Sequence, residues 1–518
     1  MVKFNKENQL YGRRVVTTHR RVTGDLAKDI PIVKAILKEA LPVHEQNVRE
    51  EIKLFNIYFN DKNWWDKFKV QRQDINNKVS IPTAMMLTRT INGYLYTEPV
   101  KYTVRDSDGD TDKQKWVESL SAMLDFMGNH NSNIAASLCA SICGLGYKLC
   151  LPANKDELEE TGIPFKINKT LIYPMEACMI VSDDVIAQDI MGFMIGTYYN
   201  EDFEPAGNQY TCWTKDYQFV LKDSDTDESG FEIVPQYVNG EAFSAYPLMA
   251  KKIPLVELER NVFRKGDWEA AYDLLVLKNK LLSNREDDIE QVLDYVLVLM
   301  NAGFEDKADK DNVFKNRIIQ LEVKNPQNPP SIEILKNPLD QTAIQTFANY
   351  IDLLIQECVG IPNRQENGYG GGDTGQAVKY RNGFRDLENN AGMIIGKMDI
   401  AELKFLALCI KYCKNVQDKN IKNKIGDLMP YDIRCKFPRS LSDDITASAN
   451  AFATYVKNGV AFPDAFILSH SGTDAAELTT NALKAYENGT SYLAMTTKEE
   501  TSTEVIETET SGTEQVTV

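Results

Sequence analysis

Cysteine, histidine and long apolar runs are scarce in this chain, and each shortage excludes a class of protein. The 9 cysteines are scattered over 518 residues, and the pairs Cys139/Cys143 and Cys409/Cys413 have helix-face spacing, so neither a disulfide scaffold nor a zinc site is expected. The 4 histidines are not grouped. The sequence has no run of eighteen apolar residues and no apolar segment at its start, so we expect neither a membrane span nor a signal peptide. We expect buried, reduced thiols in a protein made in a cytoplasm.

Positive charge is also in short supply. Lysine and arginine total 58 against 75 aspartates and glutamates, which gives a formal net charge of −17. Because tight phosphate binding needs clustered basic side chains, this balance argues against a protein that grips DNA. It is compatible with a protein past which DNA slides, since a repulsive wall prevents sticking. The first thirty residues are locally basic, and residues 1–29 are expected to form a partly ordered basic surface arm.

Hydrophobic periodicity predicts a mixture of helical and β-rich regions, and hence an α+β fold. Helical spacing extends from Asp29 to about Asn92, and Val100–Arg105 alternates between apolar and polar residues as a strand does. Short apolar runs between Gly144 and Glu259 are typical of strands, with a hairpin tip at Lys222–Gly230. The first half of the chain is therefore expected to combine helices with most of the sheet.

The second half of the chain returns to helical spacing. An apolar stripe from Trp268 to Leu299, capped by Asp267, predicts one helix, and a second is predicted at Asp340–Cys358. Between them lies a compact region with short strands around the turn Asn325–Pro330. A third helix, predicted at Thr374–Cys413, would be about 60 Å long, with internal glycines as kink points. A strand, a helical hairpin and a Thr/Glu-rich tail follow.

A glycine-rich stretch, Pro362–Gly375, separates the second of these helices from the third. Because glycine is permissive in conformation and costly to order, such a loop between two helices is expected to touch something that moves. From Gly370 the sequence fits G-x-x-x-x-G, but Gln376 and Ala377 stand where a nucleotide-binding loop needs Lys and Ser or Thr. The stretch also follows a helix and not a strand, so nucleotide binding is rejected.

Two acidic segments resemble the beginning of a calcium-binding loop. Asp106–Asp112 and Asp223–Gly230 each place aspartates at alternate positions. Counting twelve residues from either start, however, reaches Val117 or Val234, where such a loop needs a bidentate glutamate. Both segments are therefore expected to be solvated turns.

Three carboxylates on the first predicted helix of the second half, Asp287, Asp288 and Glu290, come nearest to a catalytic cluster. They could serve two-metal catalysis, but the opposite helix face is apolar, so a solvated charged stripe is the favoured interpretation. The sequence has no Gly-x-Ser-x-Gly motif and no histidine in a recognisable pattern with a nucleophile. We predict no catalytic residue, no metal and no cofactor. A metal-dependent nuclease or nucleotide hydrolase stays open as the alternative.

The order of these parts resembles that of the portal proteins of tailed double-stranded DNA bacteriophages, of the siphophage type. The resemblance covers roughly Ile30 to Tyr486. Thr374–Arg381, Thr-Gly-Gln-Ala-Val-Lys-Tyr-Arg, is similar to the Ser-Gly-x-Ala-hydrophobic-Lys motif that opens the family's long kinked helix, with Thr374 for the more usual serine. The other segments that carry the resemblance are Ile81–Tyr102, similar to a helix running into a Gly-Tyr-x-x-x-x-Pro-Val strand, Ala140–Tyr147 and Phe462–Glu477.

The resemblance implies an α+β portal fold with a mixed α/β wing, a helical stem, a small α/β clip, a long kinked helix and a mostly helical crown. The expected segments are a basic N-terminal arm at 1–29, the wing at 30–266, the first stem helix at 267–300, the clip at 301–339, the second stem helix at 340–361, the tunnel loop at 362–373, the long wing helix at 374–397, the crown at 398–490 and a disordered acidic Thr/Glu tail at 491–518.

The same resemblance implies a non-enzymatic protein of the virion, assembled in the host cytoplasm. Twelve copies would form a ring at one capsid vertex, through which double-stranded DNA is packaged and ejected. The implied partners are the terminase large subunit, the major capsid and scaffolding proteins and a head-completion adaptor, with no membrane. Another virion scaffold or adaptor protein is the remaining alternative.

The resemblance also assigns roles to residues. The tunnel-loop residues expected to face DNA are Arg364, Gln365, Asn367, Gly368, Tyr369, Gly370, Gly371 and Gly372. The residues expected at the start of the long helix are Thr374, Gly375 and Lys379. The clip residues expected to dock partners are Phe314, Arg317, Ile319, Glu322 and Lys324. One basic side chain per subunit in the loop can touch a phosphate backbone weakly and without reading sequence.

Overall fold

The structure is a computed structural model. It describes residues 12–68, 75–105, 111–200, 202–238, 241–293, 296–300, 302–303, 322–323, 331–335, 341–362, 384–438, 452–454 and 457. Residues 452–454 and 457 belong to a separate unit, and all the other described residues form one compact unit.

Helices and β-strands are both well represented in the described residues, so the α+β class is confirmed. The helices are α1 (Leu26–Tyr58), α2 (Thr83–Leu95), α3 (Thr111–Phe126), α4 (Asn129–Cys143), α5 (Lys155–Thr161), α6 (Tyr272–Leu293), α7 (Gln341–Val359), α8 (Phe384–Asn415) and α9 (Lys419–Ile425). The strands are β1 (Val16–Thr18), β2 (Lys101–Val104), β3 (Leu145–Pro152), β4 (Phe165–Ile167), β5 (Ala177–Ser182), β6 (Asp189–Tyr199), β7 (Pro205–Trp213), β8 (Tyr217–Asp223), β9 (Phe231–Ile233), β10 (Gln236–Val238), β11 (Glu241–Phe243), β12 (Tyr246–Pro247), β13 (Leu255–Glu259), β14 (Val296–Met300), β15 (Ala302–Gly303), β16 (Glu322–Val323), β17 (Ser331–Leu335) and β18 (Ile433–Lys436).

The largest sheet is mixed and lies against α1. Its strand order is β1–β5–β6–β7–β8–β12, with β9 also paired to β8, and β1 runs parallel to β5. The predicted hairpin tip at Lys222–Gly230 is confirmed, because β8 and β9 pair antiparallel on either side of it. Val33, Ile36 and Leu37 recur on one side of α1 and are buried against the sheet. Burial of this apolar face holds the long helix to the sheet.

A second core lies where α2, α3, α4 and α8 surround the three-stranded sheet β13–β3–β4. The 9 cysteines are free thiols, and all but Cys358 and Cys435 are buried. Sulfur atoms of Cys150 and Cys409 lie 3.7 Å apart without a covalent bond. Burial raises the pKa of the Cys409 thiol, so this group stays protonated and unreactive. The expected strand at Val100–Arg105 is present as β2, paired with β18.

Two predicted helices differ in extent from the observed ones. The helical spacing from Asp29 to about Asn92 corresponds to two helices, α1 and α2, because Asn60 takes a left-handed conformation (φ 58°) just beyond α1. The helix predicted to reach Leu299 ends at Leu293, and β14 pairs along its whole length with β17. A short apolar run shows neither the period of a strand nor that of a helix, so its sequence does not determine which of the two it forms. Pairing with β17 determines that this run forms a strand. Among the described residues, no helix is long and apolar enough to cross a membrane.

One buried ion pair ties β3, α4 and α8 together. The side chains of Lys148 and Glu402 are 3% and 4% exposed, and their charged atoms lie 2.8 Å apart. Nζ of Lys148 also donates to Oδ1 of Asn129 and of Asn133, at 2.9 and 2.5 Å. The Tyr102 hydroxyl donates to the other Glu402 oxygen at 2.5 Å. Burial would raise the pKa of Glu402, but the charge of Lys148 and these hydrogen bonds outweigh it and lower that pKa.

Replacing Lys148 by Met should destabilise the fold by about 3–5 kcal/mol, because Glu402 would be left as an unpaired buried charge. The expected measurement is a lower midpoint of urea unfolding, followed by circular dichroism. The double variant Lys148→Met with Glu402→Leu should recover much of the loss. As a matched control, Lys155→Met removes an exposed partner of Glu159, whose ion pair spans 3.9 Å, and should change the midpoint little. Equal losses at the two lysines would contradict the prediction.

Candidate functional site: the paired helices α6 and α7

The helices α6 and α7 lie side by side in opposite directions. Nζ of Lys278 lies 2.5 Å from Oδ1 of Asp352, and Arg285 donates to Oε1 of Gln345 at 2.8 Å. The contact made seven residues later on α6 is therefore to a residue seven positions earlier on α7, as expected for antiparallel helices. Strands β14 and β17, which follow α6 and precede α7, are antiparallel as well. The chain thus goes out along a helix and a strand and returns along a strand and a helix.

One side of α7 carries exposed apolar side chains. Phe347 is 45% exposed and Tyr350 is 53% exposed, while Ile351 and Ile355 are buried on the side that faces the rest of the protein. Steps of three and four residues along α7 place the exposed set on one narrow stripe. The members of this α7 stripe are the exposed Ala343, Phe347, Tyr350 and Cys358 and the half-buried Leu354. A helix with apolar residues on two sides needs a second partner.

The α7 stripe continues into a cavity of about 640 Å³ between the end of α7, the first turns of α8 and the loop after β13. Phe263, Met393 and Ile400 line this cavity and are 65%, 71% and 55% exposed. Gly396 of α8 also lines it, and a side chain there would meet no atom within 4 Å. The stripe and the cavity together form one elongated apolar face.

A different side of α6 is polar and buried, and it holds an extended segment of the chain. Asp287 is buried, and one of its oxygens lies 2.6 Å from Nζ of Lys67. A helix advances about 6.0 Å in four residues, and an extended segment advances about 6.6 Å in two residues. Polar side chains at every fourth position of a helix therefore have the right spacing to accept hydrogen bonds from every second backbone N–H of an extended segment beside it. The oxygens of Asn279, Ser283 and Asp287 accept the backbone N–H of Ile81, Val79 and Asn77 at 3.2, 2.9 and 2.7 Å respectively.

These contacts correct the prediction of a solvated stripe for Asp287, which is buried, whereas Glu290 is exposed as expected and Asp288 is half-buried. Both carboxylate oxygens of Asp287 are bonded inside the protein, and Glu290 accepts from the side chain of Asn77 at 2.5 Å. Within the part of the chain that the structure describes, no group of three His, Cys, Asp or Glu side chains could hold a metal ion. Asp287 is therefore a structural carboxylate in this arrangement.

Asp267 fixes the start of the helix pair to the rest of the protein. It was predicted to cap a helix, but it accepts Nε and Nη2 of Arg260 at 2.8 and 2.6 Å in a bidentate pair. Arg260 is 1% exposed, and its remaining terminal nitrogen donates to the Ser137 hydroxyl of α4 at 3.0 Å. The Ser141 hydroxyl donates to the Asp267 carboxylate at 2.5 Å. The ion pair therefore joins β13, α4 and the approach to α6.

Gly266 and Trp268 complete this anchor. A Cβ atom at Gly266 would lie 2.1 Å from the carbonyl oxygen of Ile142, so only glycine lets the chain pass so close to α4. Trp268 is fully buried, and its indole N–H donates to the Thr88 hydroxyl of α2 at 3.0 Å. Packing and hydrogen bonding thus fix the direction in which α6 leaves the core.

A family model described as phage portal protein, SPP1 Gp6-like, matches residues 38–484, which include α6, α7 and the strands between them. The chain belongs to the phage portal protein family. The resemblance found in the sequence is thereby confirmed. No curated protein matches this portal protein in a sequence search. Membership implies a ring-forming component of the phage head, at the capsid, in a family that is generally structural rather than enzymatic.

Few of the site residues predicted for this portal protein fall within the described part of the chain. Glu322 lies on β16, opposite Gly303 of β15. The predicted residues that lie outside the described residues are Phe314, Arg317, Ile319, Lys324, Arg364, Gln365, Asn367, Gly368, Tyr369, Gly370, Gly371, Gly372, Thr374, Gly375 and Lys379. The tunnel-loop, helix-start and clip roles of these residues stay predictions.

The arginines in the described part of the portal protein's N-terminal arm are paired with acidic side chains. Arg13 is buried and lies 2.9 Å from Glu269. The other arginines of residues 12–29 are also paired, Arg14 with Glu50, Arg20 with Glu39, and Arg21 with Asp183 and Asp184. Acidic groups of the same chain thus pair with these arginines, while Arg21 and Lys28 stay exposed, so the basic surface arm at residues 1–29 stays a prediction.

A buried cluster of opposite charges lies where α1, β13 and the residues before α6 meet. Arg264 lies 2.9 Å from Glu257, and Arg13 bridges to Glu269. Glu51 of α1 is 1% exposed, and its Oε2 has no hydrogen-bond partner among the described residues. Burial raises the pKa of Glu51 to about 7 although Arg13 and Arg264 act in the opposite direction. Glu51 is thus a carboxyl group that the folded protein favours in its neutral form.

Replacing Glu51 by Gln should make the protein more stable above pH 7. The folded state keeps the Glu51 proton up to a pH of about 7, whereas the unfolded chain releases it near 4.5, so this group costs stability as pH rises between these values. The cost reaches at most about 3 kcal/mol and is absent at pH 4. Urea unfolding midpoints of the two proteins should therefore diverge between pH 5 and 8.

The exposed Glu45 of the same helix supplies the control, since Glu45→Gln removes a carboxylate that water already solvates. Its unfolding midpoint should follow the wild-type pH profile. Parallel profiles for wild type and Glu51→Gln would show that Glu51 is ionised normally in the folded state.

Proposed function

We propose that this portal protein forms a twelve-fold ring-shaped channel at one capsid vertex, through which double-stranded DNA is packaged and ejected. The α7 stripe, an exposed apolar face on a helix already packed on its other side, is the observation that supports ring formation. The ring would dock the terminase large subunit during packaging and a head-completion adaptor afterwards. Major capsid and scaffolding proteins would surround it.

The observed elements suit the segments of a portal subunit. The large sheet, α1 and the core around β3 would form the wing, and α6 and α7 would form the stem. The paired strands between α6 and α7 fit a small clip at the far end, since they continue the antiparallel course of the stem. The tunnel loop at 362–373 would follow the second stem helix, and α8 would run from wing to crown.

The two stem helices differ in their exposed sides, and this difference favours one orientation. The α7 stripe is apolar, whereas the exposed side of α6 is mixed: it carries Asp273, Lys280 and Asn284 together with the exposed apolar side chains of Leu277 and Ile289. In a ring an apolar side is best buried against the neighbouring copy, and a polar side can face a water-filled channel. We infer that α7 contacts the next subunit and that α6 borders the channel.

An acidic channel suits a cargo that must move. With a net charge of −17 per chain, the ring repels phosphate overall, so DNA would not adhere to the wall. Twelve copies of Arg364 on glycine-rich loops would supply weak contacts that are made and broken in turn. Weak, repeated contact permits translocation, whereas strong binding would stop it.

Phe347→Asp should abolish ring formation at micromolar concentration, because it would place an unpaired carboxylate in an apolar subunit contact. Mass photometry should show the wild-type chain in particles of about 700 kDa, twelve times 58.6 kDa, and the variant near the mass of one chain. Asn349→Asp adds the same charge to an exposed position on another side of α7 and should leave the rings intact. Intact rings of Phe347→Asp would exclude the α7 stripe as a subunit contact.

Deletion of Gly368–Gly372 should leave rings intact but reduce the packaging and retention of DNA, because the loop would no longer reach the duplex. DNase-protected DNA per head is the measurement. A deletion of equal length in the Thr/Glu tail, residues 505–509, serves as the control and should leave protected DNA unchanged. Normal packaging and retention without Gly368–Gly372 would remove the tunnel-loop assignment.

A further inference from the structure

A two-stranded hairpin extends beyond the large sheet. β6 pairs with β5 only as far as Met194, whereas it pairs with β7 up to Tyr199. On the other side, β7 pairs with β8 only from Gln209 onward. Residues 195–208, here called the β6–β7 hairpin, therefore have no third strand on either edge within the described part of the chain. Two strands alone are marginal in water, and open edges invite pairing, so such a hairpin needs a covering partner.

The tip of the β6–β7 hairpin presents an aromatic side chain. Phe203 is 86% exposed and has a φ of 59°, a left-handed conformation that a bulky residue rarely takes. Asn200 builds the turn, since its side-chain oxygen accepts the backbone N–H of Asp202 and Glu204 at 3.0 and 2.8 Å. Tyr199 beside it is 56% exposed. An exposed, strained aromatic residue on an ordered turn is typical of a contact made with a partner.

The charge around this tip is of one sign. From Thr170 to Thr214 the sequence contains no lysine or arginine, whereas Asp202 and Glu204 flank Phe203. Exposed edges are usually protected by lysines; here Lys222 of β8 lies over the ring of Tyr198, 5.0 Å from its centroid, at the base of the hairpin, and the segment 170–214 that contains the tip has none. The partner of the β6–β7 hairpin must therefore combine apolar surface with positive charge.

Such a surface occurs at the opposite end of β6. Lys404 of α8 lies 2.8 Å from Asp189, the first residue of β6, and it is exposed. Lys252 and Lys411 are close enough to Lys404 that, after burial, their mutual repulsion lowers the pKa of Lys252. Lys252, Lys404 and Lys411 are here called the lysine patch. The β5–β6 turn next to Asp189 adds the exposed apolar side chains of Val185 and Ile186, and its Asp183 and Asp184 are paired with Arg21 of the same chain.

The hairpin tip and the lysine patch cannot meet within one copy. The strand β6 runs from Asp189 to Tyr199, so its two ends lie about 30 Å apart at 3.4 Å per residue. A strand held in the sheet on both sides at Gly192–Met194 cannot fold back on itself. Two complementary surfaces at opposite ends of a rigid element join different copies head to tail.

We propose that the β6–β7 hairpin of one copy docks on the lysine patch of the next copy in the ring, with Phe203 packed near Val185 and Ile186. Asp202 and Glu204 would then face Lys252 and Lys411. The occupant is a second copy because the same chain carries both the acidic aromatic tip and the basic apolar surface. This inference rests on the proposed ring and adds to it a contact that is separate from the α7 stripe.

Position-specific cross-linking tests the contact directly. Rings of the full chain with p-benzoylphenylalanine in place of Phe203 are irradiated, and the joined peptides are identified by mass spectrometry. We expect cross-links to residues 183–188, 249–252 or 404–415 of a second copy. Cross-links to other parts of a second copy, or none in intact rings, would overturn the docking while leaving the ring. A wild-type chain that forms no rings would instead overturn the proposed function and the docking with it.

Charge reversal supplies an independent readout. Asp202→Lys with Glu204→Lys should raise the concentration needed for half-assembly about tenfold, measured by mass photometry at low salt. Adding Lys252→Glu and Lys411→Glu to the same chain should restore assembly to within about twofold of wild type. Asp225→Lys with Glu228→Lys, at the β8–β9 turn, makes an equal change in charge and should have little effect. Melting temperatures equal to that of wild type verify folding, and failure of the four-residue variant to recover assembly would contradict the pairing.

Discussion

The position of the helix pair α6/α7 depends on the bidentate ion pair between Arg260 and Asp267. Their side chains are 1% and 8% exposed, so both charges have left water and each is tolerable only in the presence of the other. A buried pair of this kind adds little net stability relative to apolar residues, because the cost of desolvation offsets the attraction. What it supplies is geometry, since two parallel hydrogen bonds permit one orientation of the guanidinium against the carboxylate. We infer that it sets the angle at which α6 and α7 leave the rest of the compact unit.

The same device recurs at two other places, and it affects the surface as well as the core. Lys148 with Glu402 joins β3 to α8, and Lys67 with Asp287 joins α6 to the segment after α1. Each buried pair removes one charge of either sign from the surface. The net charge of −17 does not change when a pair is buried. Because acidic side chains outnumber basic ones, however, each buried pair lowers the fraction of the exposed charged side chains that is basic. A phosphate backbone that passes such a surface would meet little to bind, which is what the proposed conduit requires.

The sequence correctly predicted elements whose pattern is contained within a short segment. It did not predict elements whose conformation or role depends on residues distant in the sequence. The apolar face of α1 and the turn between β8 and β9 could be read directly, because spacing and turn residues carry that information. The strand β14 could not, since Val296–Met300 becomes a strand only when β17 lies beside it. The ion-pair role of Asp267 depends on Arg260 and α4, and nothing at that position distinguishes it from a helix cap. Asn279, Ser283 and Asp287 left a readable signal, because polar residues at every fourth position on an apolar helix call for a polar partner. The tunnel-loop and clip roles came from family resemblance, and periodicity could not have supplied them.

A closed ring of identical chains requires contacts that have a direction. An apolar stripe such as that of α7 contributes buried area, but an apolar surface can also pair with its own copy around a two-fold axis. Charge removes this ambiguity, because an acidic tip repels a second acidic tip and attracts a basic patch. The separation of Phe203 with its acidic neighbours from the lysine patch, at the two ends of β6, therefore favours head-to-tail contacts over symmetric pairs. On this view the stem would supply most of the contact area, and the sheet of the wing would determine that the chains join as a ring and not as dimers.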